Sequence, residues 1–193
     1  MRNSNRTTVT LDINSPVIIG FAVLSLAFLL LAYPFPGLRT FMSVRYISWL
    51  SPKMYLSFFT HPLMHADFAH FINNFLLIFA LGPAVESRYG SSRLLFMMVV
   101  CAFVTGLFTA LFYTRVIMCG ASGILFMLIV LASYVNIRAG KIPVTAIAVL
   151  ALFMGKEIAE GLFRQDNIAH WAHVVGGGCG AVFGFFFAGK KAR

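Results

Sequence analysis

The sequence predicts an all-α membrane protein, a polytopic bundle of six transmembrane helices. Three observations carry this. Hydrophobic residues make up 60% of the 193 residues, charged residues only 11%, and mean hydropathy is +0.86. A soluble domain carries about 25% charged residues. The apolar residues gather into six stretches, 16–33, 68–85, 93–113, 120–137, 142–160 and 170–188. Each is near the length that spans a hydrocarbon core at about 1.5 Å per residue. No stretch alternates with the period of two that a membrane barrel strand requires.

The first stretch follows a polar N-terminal tail, 1–15. Tyr33-Pro34-Phe35-Pro36 comes after it in place of a small-residue cleavage site, so it reads as a span and not as a cleavable signal. The membrane domain is expected over 16–188, with a basic tail at 189–193. The connection 34–67 is long and rich in aromatics, with Arg39, Arg45 and Lys53 among them. A connection of that length needs a reason, and amphipathic character places it in the membrane interface. The last stretch is rich in small residues (Gly176, Gly177, Gly178, Gly180, Ala181, Gly184), which let helices approach closely in lipid.

Lys and Arg set the orientation. With six spans both termini share a side, which holds nine of the 15 basic residues (Arg2, Arg6, Arg88, Arg93, Arg138, Lys141, Lys190, Lys191 and Arg193). The positive-inside rule makes that side cytoplasmic, as for a protein of a bacterial inner membrane. Basic flanks account for the net charge of +9, and nothing points to nucleic acid. Cys101, Cys119 and Cys179 form no CxxC and are expected to pack as small core residues.

Polar chemistry concentrates at the non-cytoplasmic ends of three spans. The second opens with His65, Asp67, His70, Asn73 and Asn74 in close succession. His70 and Asn74 are four apart and share a helix face; Asn73, three from His70, can share it too. Gly120-Ala121-Ser122-Gly123 opens the fourth, and His173 lies near the start of the sixth. Topology thus brings His70, Asn74, Ser122 and His173 to one depth. A histidine beside a serine can activate the hydroxyl as a nucleophile. Small neighbours such as Gly120 clear space for a substrate backbone and offer amides to an oxyanion. Gly176 and Gly180 lie on the face of His173, whereas His170 has no such glycine pattern. His61, His65 and His70 have the composition of a zinc site, but no HExxH and no carboxylate within a helix accompanies them. No metal or other cofactor is expected.

These motifs together resemble those of the rhomboid intramembrane serine proteases, over residues from about 60 to 185. The matching pieces are His65-x4-His70-x3-Asn74, Glu86-x-Arg88-x-Gly90, Gly120-Ala121-Ser122-Gly123 and Ala172-His173-x2-Gly176-x3-Gly180. The resemblance implies Ser122 as nucleophile and His173 as general base, without a carboxylate. It implies an oxyanion hole of His70, Asn74 and the Ser122 N–H, choosing Asn74 over Asn73. His65 would hold the first loop against the second helix. Substrates would be transmembrane segments of other proteins, entering near the second and fifth helices. In two places the chain departs from the family. Leu56-Ser57 stands where many members have Trp-Arg, and Phe126 stands where the family often has Tyr against the catalytic histidine. A catalytically silent relative that binds membrane-protein clients is the alternative, but such a chain should have lost Ser122 or His173. No oligomer is implied.

Overall fold

The computed structural model describes residues 14–135, 144–149 and 168–187, with a few positions between 151 and 159. All regular elements among them are helical. They are α1 (Pro16–Leu31), α2 (Pro36–Met42), α3 (Pro52–Thr60), a 3-10 turn (His61–Leu63), α4 (Phe68–Tyr89), α5 (Ser91–Phe112), α6 (Ser122–Val135), α7 (Val144–Val149) and α8 (Ile168–Phe187). Both α4 and α5 are 22 residues long and apolar enough to cross a membrane; α1 and α6 are apolar and shorter. The expected spans 16–33, 68–85, 93–113, 120–137 and 170–188 coincide with α1, α4, α5, α6 and α8 to within a few residues. The expected span 142–160 is described only in part, with α7 at its start, and 1–13 and 188–193 lie outside the described residues.

Local chemistry explains where the helices begin and end. Pro16, Pro36 and Pro52 occupy the first helical positions of α1, α2 and α3, where a fixed φ helps and a missing N–H costs nothing. Asp67 caps α4 by accepting from His70 N at 2.7 Å. Gly90, with φ +86°, is the single residue between α4 and α5. An L side chain rarely adopts that conformation, so glycine makes the reversal possible there. α4 continues through Pro83 to Tyr89, beyond the sequence-based limit at residue 85. Membrane helices tolerate such a proline where neighbours re-satisfy the backbone.

Glu86 joins three elements near this reversal. Its carboxylate accepts from the first-turn amides of α1, Val17 N at 3.0 Å and Ile18 N at 3.1 Å, and from the Ser91 hydroxyl at 2.7 Å. A negative charge there also meets the positive end of the α1 dipole. The Arg88 guanidinium lies 6.0 Å from the centre of the Tyr89 ring.

The connection 34–67 has regular structure of its own. It contains α2, α3 and the 3-10 turn, and it is tied to the chain ahead of α6. Val44 and Met118 exchange two backbone hydrogen bonds of 2.9 Å. α3 packs on α5 at Gly106, where an added Cβ would come within 2.8 Å of Phe58 Cα. Trp49, Tyr55 and Phe59 remain exposed, so one face of the segment packs on protein and the other is left aromatic.

α6 is the centre of the bundle. Every residue from Gly123 to Leu131 is buried, as expected of a helix that is apolar all round. Around it, α1, α4, α5 and α8 expose large apolar side chains such as Leu24, Leu76, Phe96 and Phe185. That arrangement is stable in lipid and not in water.

Candidate active site

The site is built where α6 begins. Gly120 has φ +128°, and an added Cβ would stand 2.8 Å from His70 Cε1 and 2.9 Å from His70 Nε2. Glycine is therefore required twice at this position, for its backbone conformation and for the imidazole lying on it. The contact carries His70 of α4 to within two residues of Ser122, the first residue of α6. Ser122 is half-buried.

The Gly120 amide donates to His61 O at 3.0 Å. This corrects the expectation that Gly120 offers its N–H to a substrate: the donor is taken. Its neighbour Ala121 N donates to His65 Nε2 over a long 3.4 Å. His65 is fully buried, with its ring edge-on to His70 at 5.2 Å. Burial, reinforced by His70, pushes its pKa down to about 4, so it stays neutral and can accept. His65 thus bonds the chain just ahead of Ser122.

Asn74 is 5% exposed, and its Nδ2 donates to His70 O at 3.0 Å. Asn73 is exposed. The face shared with His70 is therefore occupied by Asn74. One N–H of the Asn74 amide remains beyond that bond.

α8 supplies His173. Its imidazole lies parallel to the Phe126 ring, with 4.4 Å between centroids and 7° between planes. His170 meets His173 edge-on at 6.3 Å. Three glycines let α8 ride on α6. A Cβ on Gly176 would collide with Gly123 O, one on Gly180 would lie 2.6 Å from Met127 O, and one on Gly184 would lie 2.8 Å from the Tyr134 ring. From the other side, a Cβ on Gly123 would lie 3.1 Å from Thr105 Cγ2 and 3.7 Å from Ala172 O. Ser122 and His173 thus stand beside a backbone-to-backbone crossing: Ser122 adjoins Gly123, and His173 is one turn before Gly176. Gly176 and Gly180 serve that crossing, as expected of glycines on the face of His173, and Gly123, expected to clear space for substrate, lies in it too.

Two contributors had not been assigned to the site from sequence. The His61 ring Nε2 is 3.1 Å from Ala102 O and 3.4 Å from Thr105 Oγ1, while its carbonyl holds Gly120. Burial pushes its pKa to about 4. Composition pointed to His61 only as a possible metal ligand. Thr105 fills the space beside Gly123 and donates to Cys101 O at 2.8 Å. Its sequence signal was a hydroxyl in an apolar run, a feature it shares with Thr109.

Among the described residues the acids are Asp67 and Glu86, and both are engaged elsewhere, on α4 and α1. Fold and site together describe an all-helical integral membrane protein that gathers a serine, an asparagine and histidines at one end of its bundle. The family model of the Rhomboid domain matches residues 52–190. The chain belongs to the rhomboid family.

Proposed function

We propose that the protein is an intramembrane serine protease that cuts peptide bonds in or near transmembrane segments of other membrane proteins. Ser122 is the nucleophile and His173 the general base. The imidazole takes the Ser122 proton as Oγ attacks the carbonyl carbon, then returns it to the leaving amine; water releases the acyl group by the reverse assignment. The oxyanion is held by His70, the second Asn74 N–H and the Ser122 amide. Gly120 contributes its shape only. In this reading the pair works as a dyad, and the stacked Phe126 ring and the glycine crossing help to orient His173.

The observation that carries this reading is the glycine-mediated crossing of α6 and α8, with Phe126 stacked on His173. A half-buried histidine on one helix and a half-buried serine on the other both adjoin this otherwise apolar crossing, which supports their pairing. Family membership and the order of the motifs support it further. In this reading the chain makes six spans with both termini in the cytoplasm of a bacterial cell, and transmembrane substrates enter from the bilayer near the second and fifth spans. Incubation of the purified protein with a panel of single-span substrates is the test. Cleavage lost in Ser122→Ala and in His173→Ala, yet retained in His170→Ala, supports the assignment. Wild-type protein that binds these segments without cutting any of them would instead mark a catalytically silent relative.

A further inference from the structure

A second polar site lies outside this machinery, in the connection between α1 and α4. A cavity of about 170 Å³ is lined by Thr40, Ser43, Arg45, Ile47, Lys53 and Ser57. Ser43 and Ser57 are buried, and their hydroxyls already donate to Arg39 O at 2.7 Å and Met54 O at 2.6 Å. The donors left to a ligand are the two cations and the Thr40 hydroxyl. Lys53 is steadied by the Phe41 ring, 5.4 Å from Nζ to centroid. Arg45 follows Val44, which the Met118 pairing fixes. No Asp or Glu occurs between residues 34 and 66, and the next acid, Asp67, caps α4. Among the described residues, neither Arg45 nor Lys53 has an acid to pair with.

We infer that this cavity binds a phosphate group bearing net negative charge, the source in a membrane being the phosphodiester of an anionic phospholipid headgroup. Two cations without a carboxylate complement an anion and offer nothing to a headgroup ammonium. The surroundings fit an interface, since Trp49 and Tyr55 are exposed on the same connection and such rings settle at headgroup level. Ile47 gives the cavity an apolar wall for the glycerol side of the ligand. The inference rests on the chain being embedded in a membrane and not on its being a protease.

Native mass spectrometry of the full chain, titrated with phosphatidylglycerol or phosphatidylethanolamine, tests it. Phosphatidylglycerol should bind preferentially. Arg45→Gln and Lys53→Gln should each weaken it about 5-fold, and the double variant about 25-fold, as expected for cations near a membrane surface. Arg115→Gln, which removes an exposed cation outside the cavity, should bind like wild type, and unchanged melting temperatures show that the variants fold. Displacement of the lipid by millimolar inorganic phosphate would mean that free phosphate also fills the site; persistence would assign it to the lipid alone. Equal binding by wild type and the double variant, an equal loss in Arg115→Gln, or no binding of either phosphate source would overturn the inference.

Discussion

The Phe126 ring and the His173 imidazole lie face to face, 4.4 Å apart and within 7° of parallel. The stack is one means of holding the plane of the imidazole. Phe126→Ala should therefore lower kcat by about 10²-fold, the scale of loss when a catalytic group is misplaced by about 1 Å, with KM little altered. Phe126→Tyr should retain activity, because it keeps the ring. Steady-state kinetics on a single-span substrate separates the two. Full activity in Phe126→Ala would remove the ring from the account.

The crossing of α6 and α8 makes a sharper structural prediction. Gly176→Ala places a methyl against Gly123 O, backbone that has no room to yield. It should destabilise the protein by about 1–3 kcal/mol, the range for overpacking, and disturb activity. Gly178 is exposed with nothing within 4 Å of its added Cβ. Gly178→Ala should be neutral, or stabilising by about 0.5–1 kcal/mol through helix propensity. Melting curves in detergent check the contrast, and equal effects at the two positions would contradict it.

Asn74 is buried and bonded to His70 O whereas Asn73 is exposed, and that difference should appear in the rate. Asn74→Ala and His70→Ala each remove one proposed oxyanion donor, so each should cost up to about 10²–10³ in kcat. Asn73→Ala should leave turnover near wild type. Single-turnover assays distinguish them, and a larger loss in Asn73→Ala would place the wrong asparagine in the site.

Two buried neutral histidines make stability depend on pH. Below its ordinary value of 6.5, an unfolded chain protonates His61 and His65, while the folded chain resists until about pH 4. The unfolded state then binds more protons, so stability is full above pH 6.5 and declines as pH falls through 4. The loss is up to about 3 kcal/mol for His61. Thermal midpoints measured from pH 7 to 4.5 should fall, and less steeply in His61→Gln. An unchanged slope in that variant would show that His61 is not the group responsible.

The sequence made the outline of the bundle readable because apolar length is a one-dimensional property. It also made Ser122, His173 and His70 visible, since polar groups at span ends contrast with their surroundings. What it hid depends on pairs of distant residues. Nothing about Glu86 alone announces that its carboxylate reaches the amides of Val17 and Ile18. Nor does the glycine at 120 reveal that its amide is bound by His61 while a His70 ring covers it. Helix spacing left Asn73 and Asn74 both possible, the resemblance chose Asn74, and of the two only Asn74 is buried. The helices inside the connection 34–67 were hidden for another reason. Its exposed rings dominate the composition, whereas α3 is held by contacts such as Phe58 on Gly106 that no local pattern shows.

The central claim is that His173 activates Ser122. Labelling of the detergent-solubilised protein with a fluorophosphonate, followed by peptide mass spectrometry, tests it most directly. A fluorophosphonate bonds covalently to a serine oxygen only when a base removes the proton. The account predicts an adduct on Ser122 in the wild type, none in Ser122→Ala, and at most a trace in His173→Ala. No adduct on Ser122 in protein that cleaves substrate, or labelling of His173→Ala at the wild-type rate, would contradict it.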